Sequence, residues 1–332
     1  MDLITQGLLG ATVAAAGFRA RLGPRALVVG ALLGVAPDLD VLAGLAGDWA
    51  SLVHHRGLSH SLVVLSMLAP PLGWALARCL GEGEDTRAWM GLSFWALVTH
   101  PLLDLFTSFG TQLFAPLSDA RFALDGVGAL DLLISVPLAL AVFAGGGRGW
   151  ARAALVWSLV YLAGGCALSN LAARDVGEQL RAEGFELEAR RALVGPLLPL
   201  TRRVVARDRA GHVEVVVWSA LVGSTRRATM LRPDDARVDA ALHSERGQVF
   251  EWFADGYLVA NIEPRGAGAR VTLSDARFGG YRDLGGSYFR LLVDVDDDGQ
   301  LLRAELGERP RMAFVAELRE AWSLTLGRTE TK

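Results

Sequence analysis

Residues 88–104 read AWMGLSFWALVTHPLLD, an apolar run that ends in a histidine and an aspartate four residues apart. The run has the composition of a bilayer-crossing helix, which needs roughly 20 residues. Its last turn departs from that pattern. His100 and Asp104 leave the same face of a helix, and ionisable groups at membrane depth face a protein interior or a wet cavity.

Comparable apolar runs lie at 26–46, 58–80, 128–147 and 152–172, so with 88–107 the sequence predicts five clear spans. A shorter Gly/Ala-rich segment at 3–18 has no basic stretch before it and no cleavage site, and reads as a first short helix. The second half is different. Residues 1–172 hold 20 of the 69 charged side chains, and residues 173–332 hold the other 49. The expected fold is therefore an α-helical membrane domain (1–172, about six hydrophobic segments) followed by a soluble α+β domain (173–332). A net charge of -3 and 52% hydrophobic residues exclude a disordered chain and a basic nucleic-acid binder. Cys79 and Cys166 both sit in apolar runs and form neither a disulfide framework nor a thiolate cluster.

Arginine sets the expected orientation. Arg19, Arg21 and Arg25 follow the first segment, Arg78 and Arg87 flank the loop after the third, and Arg148 and Arg152 follow the fifth. If these loops are cytoplasmic, the others face outward, towards the periplasm in a Gram-negative cell. The C-terminal domain then also lies outside.

The polar residues of the membrane half fall at the opposite face. Asp38 and Asp40 close the second segment, HHRGLSHS (54–61) opens the third, His100 and Asp104 close the fourth, and Asp125 and Asp131 open the fifth. His55 and His60 flank a Gly-containing turn, and Asp38 and Asp40 add hard oxygen donors. Imidazole with carboxylate and no thiolate suits a divalent ion, Zn²⁺ first and Mn²⁺ or Fe²⁺ next. Three histidines and three carboxylates allow one ion with open positions or two bridged ions. His54 reads as a neighbour of the cluster, and Arg56 as an interface residue or as an anion clamp for phosphate or carboxylate.

MDLITQGLLGA, GALLGVAPDLD, HHRGLSHS and FWALVTHPLLDLFTSFGTQLFAP resemble the YdjM-like family of membrane-bound metal-dependent hydrolases of the bacterial inner membrane. FEWFADGY and VTLSDARFG look like that family's soluble portion. The resemblance implies that Asp38, Asp40, His55, His60, His100 and Asp104 hold the metal and that Asp131 contributes. Two positions depart from the pattern. Gln6 stands where some relatives have histidine, and Leu132 follows Asp131 where many have proline.

Beyond residue 172 short alternating runs flank turn signals. Three hairpins are expected: 202–207 with 213–219, 257–262 with 270–274, and 288–295 with 301–306, besides helices near 234–254 and 311–326. Asp294 to Glu305 matches the calcium-loop spacing, but its flanks alternate like strands and Asp-Gly turns a hairpin, so a hairpin is expected. His212 and His243 read as surface or packing residues. Arg202, Arg203, Arg207 and Arg209 read as a solvated strand face, with anionic lipid headgroups as the second possibility.

The functional expectation is an enzyme: a metal-dependent hydrolase cleaving an ester or phosphoester of a lipid-like small molecule at the bilayer surface. Arg56 would balance the substrate's charge, and Asp131 or a spare aspartate would act as base. The alternative is a membrane scaffold with a structural metal or a polar packing network.

Overall fold

In the computed structural model, residues 1–266, 268–296, 300–308 and 313–328 are described. The chain divides into two compact units, Met1–Ala167 and Leu168–Lys332.

The first unit is helical: α1 (Leu3–Gly17), α2 (Arg19–Leu22), α3 (Arg25–Val35), α4 (Asp48–His54), α5 (Leu62–Cys79), α6 (Thr86–Asp104), α7 (Leu132–Phe143) and the first part of α8 (Gly147–Ala182). Among the described residues only α5 and α8 are long and apolar enough to cross a membrane, which corrects the expectation of five clear spans. The run 26–46 is not one helix, because α3 stops at Val35 and Ala36–Ala46 tightens into 3₁₀ geometry where Pro37 removes a donor. The run 128–147 yields only the 12 residues of α7, since Asp131, itself in extended backbone, caps the helix and the residues before it are non-helical. α6 has 19 residues, but Arg87, His100 and Asp104 interrupt its apolarity.

α1 packs on α3 along a glycine seam. A Cβ on Gly10 would stand 2.0 Å from the Gly30 carbonyl oxygen, and one on Gly34 2.5 Å from that of Gln6. Gly30 and Gly34 are four residues apart, the small-xxx-small spacing that lets membrane helices meet backbone to backbone. The three arginine loops lie at one end of this bundle. Arg21 pairs with Asp85 (2.5 Å), Arg25 with Glu82 (3.5 Å), and Arg148 Nε donates to the Ala16 carbonyl at the end of α1 (3.0 Å).

The second unit holds two four-stranded antiparallel meanders. One is β1 (Leu187–Leu193), β2 (Thr201–Asp208), β3 (Val213–Ser219) and β4 (Gly223–Met230); the other is β5 (Leu258–Pro264), β6 (Gly268–Asp275), β7 (Arg290–Asp296) and β8 (Leu301–Leu306). The three expected hairpins are β2–β3, β5–β6 and β7–β8. Asp294 and Glu305 thus lie on paired strands rather than between helices, while residues 297–299 of that motif, and Ala267 of the β5–β6 turn, lie outside the described residues. α9 (Ala236–His243), α10 (Glu245–Ala254) and α11 (Phe314–Thr325) complete the unit; residues 311 and 312 of the expected last helix lie outside the described residues.

β3 is buried along its whole length, with α8 residues Ala172, Val176 and Leu180 on one face of its sheet and Tyr257, Val259 and Leu324 in the core on the other. The expected solvated arginine face does not form. Arg202 is buried and donates to Ser169 Oγ and the Pro199 and Thr201 carbonyls, and Arg203 donates to the carbonyls of Ala276, Gly280 and Leu284. Burial holds the Arg203 guanidinium down at about 10. His212 sits against Asp208, and His243 is exposed at the end of α9.

Candidate metal centre

Four of the predicted ligands converge: Asp38 from the 3₁₀ segment after α3, His60 from the short 3₁₀ turn Leu58–His60, and His100 and Asp104 from the last turn of α6. All four are buried. His60 Nε2 is 3.0 Å from His100 Nε2, 3.4 Å from Asp38 Oδ1 and 3.3 Å from Asp104 Oδ2. His100 Nε2 is 3.4 Å from Asp38 Oδ1 and 3.7 Å from Asp104 Oδ2. A tetrahedron with metal–ligand bonds of 2.0–2.1 Å has edges of about 3.3–3.4 Å. These five distances lie near such edges, and all four donors fall within 4.8 Å of one another, close enough to share one small ion.

The surrounding contacts orient the two imidazoles. His100 Nδ1 lies 2.6 Å from the Gly34 carbonyl, which only accepts, so the proton is on Nδ1 and the Nε2 lone pair faces the cluster. His60 Nδ1 is 2.9 Å from Ser59 Oγ and 3.3 Å from Asp40 Oδ2, and Ser59 Oγ in turn donates to Asp40 Oδ2 at 2.7 Å. That chain places the His60 proton on Nδ1 too, an arrangement typical of ligating histidines backed by a carboxylate.

Asp40 and His55 are predicted ligands that do not join the four. Asp40 stands one layer out: besides Ser59 and His60 it accepts from the Arg56 amide (2.9 Å) and faces His55 Nδ1 (2.8 Å). His55 is held by Asp40 and stacks edge-on to Phe109. Arg56, at a φ of 62°, turns its side chain inward rather than to the surface. Its Nε is 3.1 Å from Asp104 Oδ2, Nη1 donates to Thr107 Oγ1 at 2.7 Å, and the guanidinium lies over Phe109. It neutralises Asp104 instead of offering a free anion clamp. Asp131, expected as a base, is not one of the four: it caps α7 through the Leu133 amide (2.9 Å) and accepts from the Tyr161 hydroxyl (2.8 Å).

Gln6, expected only as a departure from the family pattern, also reaches the cluster. Its Nε2 donates to Asp104 Oδ1 (3.1 Å) and to the His100 carbonyl (3.3 Å), and the Met1 amino group also contacts Asp104 Oδ1. Its place beside Thr5, at the membrane face that carries the other polar clusters, was the available signal. The donor set passes a test of fit to a cation. Asp38 Oδ2 and Gln6 Oε1 are buried without a hydrogen bond, a costly state that a bound positive charge relieves, whereas Asp104 Oδ2 already has the Arg56 guanidinium beside it.

A helical bundle with a buried Asp-His-His-Asp cluster at one end defines a membrane protein with a candidate divalent-metal centre. The chain belongs to the YdjM inner membrane protein family, which matches residues 1–172. The resemblance read in FEWFADGY and VTLSDARFG lies beyond that match. Among curated proteins, it is 35% identical over 102 residues to "Inner membrane protein YbcI" of Escherichia coli K12, covering 30% of this chain and 58% of that one. It is 28% identical over 117 residues to "Uncharacterized protein YfhP" of Bacillus subtilis 168, covering 34% of this chain and 36% of that one. The chain thus spans less than two thirds of either relative. No solved structure matches.

Proposed function

We propose that this protein is a multi-pass membrane hydrolase that uses one divalent ion, Zn²⁺ first among the alternatives, to cleave an ester or phosphoester of an amphiphilic molecule. The observation that carries this reading is the convergence of four buried donors from three separate segments within 4.8 Å of one another, with the two imidazole Nε2 atoms 3.0–3.7 Å from each other and from the carboxylates. An ion so held supplies a Lewis acid and a water made nucleophilic at neutral pH. His55, part-exposed and held by Asp40, is the group placed to carry a proton in or out. Arg56 lowers the net negative charge that two aspartates impose on an anionic substrate. Support for a lipid-like substrate comes from an apolar cavity of about 520 Å³ between α1, α6, α7 and α8, lined by Leu9, Val13, Leu102, Phe106, Leu138 and Leu159. With the arginine loops cytoplasmic, the centre and the C-terminal domain are periplasmic.

The test is hydrolysis of ester and phosphoester lipids by detergent-purified protein, lost on chelation and restored by Zn²⁺ or Mn²⁺. No turnover with fully loaded, folded protein would refute the catalytic part. One observation favours the scaffold alternative: four protein donors gathered within 4.8 Å of one another can close a structural site, whereas catalysis needs an open position. Water-exchange measurements on the Mn²⁺-loaded protein separate the two, because only an open site carries an exchangeable water.

A further inference from the structure

α8 has 36 residues, about 54 Å of helix at 1.5 Å per residue, against a hydrocarbon core of about 30 Å. After Arg148 and Arg152 its sequence carries no charge until Arg174, so a bilayer that α8 crosses ends near residues 169–173. The first sheet is fastened to α8 at that level. Arg202 Nε, at the start of β2, donates to Ser169 Oγ at 2.7 Å. Further along the helix, Trp218 Nε1 donates to Asp175 Oδ2 (2.6 Å), and Arg227 pairs with Glu183. β2 therefore starts beside the apolar part of α8 and runs towards its charged end.

The two ends of this sheet differ in polarity along that direction. Past the α8-charged end lie Asp208, Arg209, His212 and Arg232, with one exposed leucine, Leu231. Past the other end the exposed side chains are mainly apolar, Leu200 before β2, Leu221 and Val222 in the β3–β4 turn, and Leu326 after α11, with the exposed Arg328 beside them. Leu221 is 57% exposed and Val222 49%. They form one rim, because the Ala220 amide donates to the Leu200 carbonyl (2.9 Å) and Ser219 Oγ to the Thr325 carbonyl (2.7 Å).

We propose that this rim, with Leu221 and Val222 at its tip, is a lipid-contacting surface that seats the C-terminal domain in the bilayer interface beside α8. The occupant is lipid because the rim lies at the end of the sheet that Arg202 fastens to Ser169, the level at which α8 leaves the hydrocarbon and where its own Leu171 is exposed. The inference rests on α8 being a span, and its test separates the two. Single-cysteine variants Leu221→Cys, Leu159→Cys on the apolar part of α8, and Leu302→Cys on the other sheet are made in a Cys79→Ser/Cys166→Ser background. Each is labelled with an environment-sensitive fluorophore in phosphatidylethanolamine/phosphatidylglycerol nanodiscs carrying spin-labelled lipid. The expected result is blue-shifted, quenched emission at 221 and 159, with quenching at least threefold above that at 302. Quenching at 159 but not at 221 overturns the inference and leaves the span intact. Silence at both overturns them together. A blue shift at 221 without quenching by lipid means that protein covers the rim, which also overturns it.

Discussion

The Nε2 atoms of His60 and His100 stand 3.0 Å apart, each with its lone pair directed into the same small space. Both Nδ1 protons are committed elsewhere, to Ser59 and to the Gly34 carbonyl. Two acceptors at this separation repel unless a shared proton or a metal ion sits between them, and the carboxylates of Asp38 and Asp104 alongside suit the metal. Protein purified in mild detergent is therefore expected to contain one equivalent of Zn, Mn or Fe by mass spectrometry. His60→Ala and Asp104→Ala should each lose it, and a metal-free, well-folded wild type would leave the cluster as a packing network.

Asp40 does not belong to the four donors, yet it fixes the His60 ring through Nδ1. Asp40→Asn should weaken metal binding about 10- to 100-fold without abolishing it, as outer carboxylates on ligating histidines do. Competition against a fluorescent chelator measures this. Loss as complete as in His60→Ala would place Asp40 among the ligands.

The glycine seam predicts a mutation distant from any donor. Gly10→Ala places a methyl into the Gly30 carbonyl, and overpacking of this kind destabilises by about 1–3 kcal/mol. Thermal unfolding in detergent should show a lowered Tm. Because separating α1 from α3 also displaces the Gly34 carbonyl from His100, metal affinity should fall in the same variant.

In the second unit, burial raises the Tyr281 phenol from 10.0 to about 12. The fold favours the protonated form, so this contribution is complete below pH 10 and is lost as pH rises towards 12. Its size is on the order of 2–3 kcal/mol. Tyr281→Phe should flatten the fall of Tm between pH 10 and 12, and an unchanged slope would show that other groups carry it.

The donors were legible in the sequence because expensive residues clustered at ends of apolar runs: Asp38 after GALLGVAP, His100 and Asp104 after a run of tryptophan and leucine. The division between Asp38 as donor and Asp40 as support was not legible. It depends on 3₁₀ geometry after Pro37, which turns two aspartates two residues apart to different layers. The span count failed for a related reason, since hydropathy registers apolar composition and is blind to a helix that stops at Val35 or starts late at Leu132. Arg202 and Arg203 looked like a charged face because alternation alone does not reveal that both faces of β2 are covered. The Gly30–Gly34 spacing was in plain view and was passed over.

That seam does more than hold two helices. With no side chain between them, α1 and α3 meet as a single rigid plank, and the plank presents two contacts at a set separation: the Gln6 amide to Asp104 and the Gly34 carbonyl to His100. Those are the two ligands that α6 contributes one turn apart. The backbone seam acts as a ruler laid against α6: His100 is gauged by a main-chain atom that no rotamer change can move, and Asp104 by a side chain rooted on the same plank.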